Sequence, residues 1–331
     1  MKIVADSKIP YLKGLLEPVA QEVLYVPGAE IDSTVVREAQ VLLTRTRTRC
    51  DRTLLEGSQV QLIGTATIGT DHIDLDYCRS RGIAVVNAPG CNAPAVAQWV
   101  HASILQWLER RKALGPVTLG VVGVGHVGSI VARWARQLGY RVLLNDSPRA
   151  AVEGSAAFSP LEQLQQECDI ITFHTPLTRE GEWPTWHLCD EALLGGLCRC
   201  GLVLNAARGA VCDTRALLQW GGDLAIDCWE GEPAINRELL RKAFIATPHI
   251  AGYSLQGKQR GTAMIVEALN RRYGWSIKPT KASTPQHGAD HVTAQSILES
   301  YNPLADSARL KALPESFEHL RNSYPLRQEC P

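Results

Sequence analysis

From residue 117 to residue 250 the chain alternates short apolar runs with helix-forming segments, and this alternation limits the fold more than any other feature. The runs are VTLGVVG (117–123), YRVLLND (140–146), CDIITFH (168–174), GLVLNAA (201–207), DLAIDCW (223–229) and FIATPHI (244–250). Helix starts stand between them. Ser159-Pro160-Leu161-Glu162 offers an N-cap, a first-turn proline and a capping-box glutamate, and Asp190, Asp213 and Asn236 each precede a leucine-bearing segment. Such alternation predicts a parallel sheet covered by helices on both faces, an α/β doubly wound (Rossmann-type) architecture.

The first ninety residues carry a second, smaller α/β pattern, with strand candidates KIVAD, VLLTR, QLIGTAT and IAVVNAP. A long amphipathic helix is expected from Asn92, with Val96, Trp99, Val100, Ile104, Trp107 and Leu108 at helical spacing. Another is expected over 253–275, then a linker at 281–291 and one or two short helical patterns that form an appendage.

Lys+Arg and Asp+Glu balance at 34 each, so bulk charge lends nothing to a nucleic-acid partner. No apolar run reaches membrane-spanning length, and MKIVADSKIP turns polar too soon for a secretory signal. Ten scattered cysteines, several inside apolar runs, read as reduced thiols of a cytoplasmic protein. Cys198 and Cys200 form a CxC with no second Cys/His pair at zinc-finger spacing, so no metal site is expected.

Gly123-Val-Gly125-His-Val-Gly128 follows the first of the six runs and opens a helix marked by Val127, Ile130, Val131, Trp134 and Leu138. Glycines alone could be a structural turn. Between a strand and a helix they let backbone N–H groups and the helix dipole approach a pyrophosphate. Asp146 ends the next run, where a carboxylate would accept from the adenosine ribose hydroxyls and repel a 2′-phosphate, so NAD is favoured over NADP. Arg149 nearby is the one residue pulling the other way.

Four polar residues, Arg208, Asp227, Glu232 and His249, follow successive runs, on the side where such sheets bind ligands. Taken singly, His249 between Pro248 and Ile250 reads as a core residue, Arg208 as a helix-end charge and Glu232 as a surface acid. Together they supply what hydride removal from an alcohol carbon needs. His249 can take the hydroxyl proton, Glu232 can orient the imidazole, and Arg208 can grip a carboxylate with two prongs.

In VLLTRTRTRCD (41–51), Arg45, Arg47 and Arg49 would line one face of an extended segment. A solvated edge strand and an anion site both fit that pattern.

At these residues, and over GTATIGTDHID, NAPGCNA, GVVGVGHVG, DIITFHTPLT, NAARGAVCDT, DCWEGEP and TPHIAGYSLQGKQRGT, the chain resembles the D-isomer-specific 2-hydroxyacid dehydrogenases. HTPLT and TPHIAGYSLQGKQRGT are similar to the subgroup that oxidises 4-phospho-D-erythronate at C2 during pyridoxine 5′-phosphate synthesis. The resemblance implies a homodimer with Arg208, Glu232 and His249 in the active site and His249 as proton carrier. It implies NAD contacts at Gly123, Gly125, His126, Val127, Gly128, Asp146, Thr175, Ala206, Ala207, Asp227 and Gly252, and substrate contacts at Thr46, Thr67 and Tyr253. Arg45, beside Thr46, becomes a candidate for the distal phosphate, whereas Arg47 and Arg49 keep the solvated reading. The expected division is a flavodoxin-like substrate (lid) domain at 1–91 plus 253–280 and an NAD domain at 92–252. The remainder, 281–331, is expected to be a truncated dimerisation-type segment. Pro94 and Gln98 depart from the subgroup pattern. A 3-phosphoglycerate- or hydroxypyruvate-type dehydrogenase and a non-catalytic NAD-sensing corepressor are the alternatives.

Overall fold

Strands Thr118–Val122, Ile170–Phe173 and Leu202–Asn205 are buried at every residue, as strands covered by helices on both faces must be. The computed structural model describes residues 1–112 and 115–330. It holds two compact units, Met1–Asn92 with Leu255–Gln286, and Ala93–Ser254 with His287–Pro331.

The first unit contains β1 (Lys2–Asp6), β2 (Glu22–Val26), β3 (Val41–Thr44), β4 (Leu62–Thr65) and β5 (Ala84–Val86), all parallel, in the order β2-β1-β3-β4-β5. That is the flavodoxin-like order. The second unit contains β6 (Thr118–Val122), β7 (Arg141–Asn145), β8 (Ile170–Phe173), β9 (Leu202–Asn205), β10 (Asp223–Ile226) and β11 (Ile245–Ala246). These six are also all parallel, in the order β11-β10-β9-β8-β6-β7. Both sheets are of the doubly wound kind that the apolar alternation predicts.

Helix capping follows the sequence at three of four places. Asp190 accepts from Leu193 N, Asp213 from Arg215 N, and Asn236 from both Glu238 N and Leu239 N. Ser159 does not cap. The helix Leu161–Glu167 starts one residue later, behind Pro160 and without a side-chain cap. The Ser159 backbone instead bonds to β7 and its end, donating to Leu144 O at 2.6 Å and accepting from Asn145 Nδ2 at 2.8 Å.

Three further expectations need correction. The strand β2 is absent from the sequence reading because EVLYV lies at the sheet edge, where its burial is partial and its apolar signal weak. The helix Ala93–Arg111 is not amphipathic over its first part: every residue from Ala93 to Ile104 is buried, including Gln98, His101 and Ser103. A helix enclosed on all sides carries apolar residues all round. Lastly, the arginine run is not extended. The chain leaves β3 at Thr44 and turns at Thr46 and Arg47, and buried Thr48 donates to Gly28 O at 2.8 Å. Arg49 is 85% exposed and pairs with Asp51 at 3.0 Å, a surface contact of small energetic weight.

Residues after His287 pack on the second unit. Val292 and Ile297 join the core around Trp99 and Trp134, while Leu310 and Phe317 join the core on Phe173. Ser307 Oγ accepts from Ala246 N at 3.0 Å.

Two loops of this unit touch backbone to backbone at Gly209. A Cβ there would lie 2.0 Å from both the carbonyl carbon and the oxygen of Trp229, and 2.3 Å from Glu230 N. Gly209→Ala is therefore expected to lower unfolding free energy by about 3 kcal/mol in urea titrations. An unchanged midpoint and slope would show that this approach is not close in solution.

Candidate active site

One line of register crosses all six strands of the second unit. Asn145, Val122, Phe173, Asn205, Ile226 and Ala246 are successive Cα partners. The residues that follow them therefore emerge along a single rim: Asp146, Gly123, Thr175, Ala206 to Arg208, Asp227, and Thr247 to His249. Strand order switches direction between β6 and β8, which is where open α/β sheets form their ligand crevice.

At the switch point the glycines are there for space. A Cβ on Gly123, whose φ is +87°, would stand 2.8 Å from His174 C and Thr175 N. A Cβ on Gly128 would stand 2.0 Å from Gly123 O. Gly125 faces open space and precedes the 12-residue helix His126–Gln137, whose first turn holds exposed His126 and half-buried Val127. Asp146 accepts from Val124 N at 2.8 Å and from Arg149 N at 3.2 Å, which fixes its carboxylate beside the glycine turn. Arg149 is gripped by both oxygens of Glu153, each at 2.7 Å. The hydroxyl of Thr175 is buried with no partner among the described residues. An unfilled backbone turn, a helix N-terminus and an unpartnered hydroxyl together fit the pyrophosphate end of a dinucleotide. Ala206, Ala207 and Gly252 add small residues on the same rim, the first and last half-buried.

The next strands carry the polar groups. Asn205 is buried and holds the loop after β9: its Oδ1 accepts from Ala207 N at 3.1 Å, and its Nδ2 donates to Arg208 O at 3.0 Å. Arg208 itself is half-buried and donates from Nη1 to Ala207 O at 2.9 Å. Asp227 is 1% exposed. Its Oδ1 accepts from Thr247 Oγ1 at 2.6 Å and Ile250 N at 2.8 Å, and its Oδ2 accepts from Ala251 N at 3.0 Å. Burial pushes this carboxyl above its ordinary value, against the pull of His249 and of these donors.

Within the loop so anchored, His249 has φ +56°, a left-handed backbone that costs a side-chain-bearing residue about 1–3 kcal/mol. Its N–H donates to Asp227 O at 2.9 Å. Nδ1 lies 2.5 Å from Glu232 Oε1, and Glu232 Oε2 accepts from Trp229 N at 3.3 Å. Burial would raise the Glu232 carboxyl, but the bond and charge of His249, with the charge of Arg321, hold it below the ordinary value of 4.5. Glu232 is therefore ionised near neutrality and can only accept, so the proton of that bond belongs to Nδ1 and Nε2 is left to face a reactant. Burial pushes the neighbouring Cys228 thiol up, helped by the charges of Asp227 and Glu232 and opposed by those of Arg208 and Arg321. Tyr253 meets Tyr324 edge-on at 6.2 Å.

In the first unit, Thr44 and Thr65 are register partners, so Arg45 and Thr67 follow the same edge of β3 and β4. Arg45 Nη1 donates to Lys8 O at 3.1 Å. Thr67 Oγ1 lies 2.7 Å from Thr65 Oγ1 and donates to Gly69 O at 3.0 Å, while Thr46 is exposed. His187, Asp213 and Glu230 of the second unit could hold a metal ion by spacing. They are also joined to their surroundings directly, His187 Nε2 to Glu230 at 2.7 Å and Asp213 to Arg215 N at 2.9 Å.

Sequence reasoning missed the residues that position the others: Asn205, Thr247, Trp99 whose indole donates to Thr247 Oγ1 at 3.0 Å, and Arg321. Asn205 and Thr247 carried a signal, their places inside NAARGA and TPHIAG. No helix among the described residues is long and apolar enough to cross a membrane.

Comparison with known proteins gives the family. Residues 92–251 match the family model described as D-isomer specific 2-hydroxyacid dehydrogenase, NAD binding domain. The chain is 48% identical to the erythronate-4-phosphate dehydrogenase of Bacteroides thetaiotaomicron, over 99% of this chain and 97% of that protein. It is 47% identical to the enzyme of that name from Pseudomonas aeruginosa, over 99% and 93%. Among solved structures, NAD-bound 3-phosphoglycerate dehydrogenase from Entamoeba histolytica superposes with a TM-score of 0.69 at 24% identity, covering 85% of this chain and 99% of that one. D-lactate dehydrogenase from Aquifex aeolicus, in complex with NAD and lactic acid, gives 0.65 at 23% identity, covering 82% and 96%. The cofactor of this oxidoreductase is NAD. The chain belongs to the erythronate-4-phosphate dehydrogenases, within the D-isomer-specific 2-hydroxyacid dehydrogenase family.

Proposed function

We propose that this chain oxidises 4-phospho-D-erythronate at C2 to (R)-3-hydroxy-2-oxo-4-phosphooxybutanoate, a step of pyridoxine 5′-phosphate synthesis. The observation carrying the chemistry is the His249–Glu232 pair, 2.5 Å apart, on the same rim as Arg208 and the glycine turn. Support for the substrate comes from the names of relatives that match the chain over nearly its whole length.

Bound NAD supplies the acceptor for the C2 hydride. The protein's part is the proton and the placement. Nε2 of His249 takes the proton of the C2 hydroxyl, and the resulting imidazolium is stabilised through Nδ1–H by ionised Glu232. Arg208 receives the C1 carboxylate, whose two oxygens match the guanidinium fork and fix which face of C2 is presented. Asp227 acts through the loop it anchors. Gly123, Gly125, His126, Val127, Gly128, Asp146, Thr175, Ala206, Ala207, Asp227 and Gly252 are the cofactor contacts in this reading. Arg45, Thr46 and Thr67 from the first unit, with Tyr253, are its substrate contacts, Arg45 answering the phosphate. The first unit then serves as substrate domain and the second as NAD domain. The family likeness supports a cytoplasmic homodimer as part of the same reading.

Initial rates on 4-phospho-D-erythronate and 3-phosphoglycerate, followed by NADH absorbance, test the substrate, and a preference for the shorter acid rejects it. His249→Asn is expected to lower turnover by about 100-fold or more while NADH affinity stays within about twofold. Unchanged turnover would remove the proton-transfer role. Arg45→Ala is expected to raise KM for the phosphorylated acid by about 10-fold or more and leave an unphosphorylated analogue near its original value. Equal effects on both return Arg45 to the protein surface.

A further inference from the structure

Glu232 has a second cationic neighbour, and it comes from the far end of the sequence. Arg321 lies on the helix Phe317–Asn322, which is held down by Phe317, 1% exposed in the core. Its Nη1 stands 3.7 Å from Glu232 Oε1, the oxygen that also accepts from His249 Nδ1. The Arg321 side chain is only 23% exposed and hydrogen-bonds with Tyr253. The residues after it grip the same loop from behind. Arg327 donates to Ile250 O at 2.9 Å and Tyr253 O at 3.2 Å, and also to Ala251 O. Ser254 forms an isolated bridge with Arg327 and donates from Oγ to Glu329 Oε1 at 2.7 Å. Arg321 is thus a fixed charge rather than a swinging surface arginine.

We propose that Arg321 is a positioning residue of the proton-transfer pair, sharing Glu232 Oε1 with His249 so that the carboxylate orients the imidazole without holding its proton too tightly. This rests on the reading of His249 as proton carrier. A lone buried carboxylate would make the imidazolium too comfortable and slow its release of the proton. A cation on the far side of that carboxylate divides its field. The other charged or titratable groups of this neighbourhood are Asp227, whose carbonyl accepts from His249 N and whose carboxyl feels the His249 charge, Cys228 next to it in the chain, Arg208 at the next strand end, and Tyr253, bonded to Arg321.

Removing a positive charge near the pair favours the protonated imidazole, so His249 should titrate at higher pH. We expect Arg321→Gln to move the midpoint of the His249 ring resonances upward by about one unit, and the acid limb of kcat/KM with it. Arg321→Lys, which keeps the charge, should leave both where they are. The chain has nine histidines, and loss of one resonance set in His249→Asn assigns the relevant one. Should the glutamine variant not fold, Arg321→Met, which fills similar volume without burying an amide, is read in the same way. Midpoints that coincide in wild type and the uncharged variant overturn the proposal, as does an equal displacement in the lysine variant. The ring titration needs no turnover. A wild-type enzyme inactive on 4-phospho-D-erythronate would reject the assigned reaction while this measurement still decided the role of Arg321.

Discussion

The buried carboxylate of Asp227 is the interaction on which the site depends. It leaves β10 at the rim and, through three acceptor contacts with Thr247, Ile250 and Ala251, fixes the chain on both sides of His249. A histidine with φ +56° does not stay there unaided, since the left-handed well is unfavourable for a residue with a Cβ. Three hydrogen bonds to one buried carboxyl oppose that strain. The strain is local, and so is its use: it turns Nδ1 toward Glu232 and leaves Nε2 for chemistry.

The rest of the second unit makes that arrangement rigid. Parallel register brings six strand ends to one level, so residues far apart in sequence meet without any long loop. Asn205 braces the Arg208 turn, and Gly209 lets that turn press against the Trp229 backbone. Arg327 then closes the back of the His249 loop from the C-terminal segment. Each loop is short and bonded at several points, the condition for holding a reacting proton within hydrogen-bond reach.

What could be read from the sequence follows from how local the signal is. Uniformly apolar strands, the glycine turn and side-chain caps such as Asp190 and Asn236 declare themselves within a few residues. The polar residues after each strand were legible as a set because strand ends imply a common rim. Arg45, Arg47 and Arg49 misled because alternation implies a shared face only while the chain stays extended, and here it turns at Thr46. Gln98 looked like a departure from pattern. It is buried, donating to Ser300 Oγ and Gln328 O and accepting from Arg327 Nε, partners that lie more than 200 residues away. Arg321 was invisible for the same reason: nothing within LRNSY says which carboxylate it will face.

In the resting enzyme Glu232 accepts from a proton-bearing Nδ1 of His249 and so leaves Nε2 bare. Nitrogen-15 chemical shifts of the His249 ring, measured above its titration range in the resting enzyme, report this tautomer directly. A protonated Nδ1 and an unprotonated Nε2 are expected, with the Nδ1 preference lost in Glu232→Gln. A resting imidazole with its proton on Nε2 would mean that Glu232 does not set the tautomer.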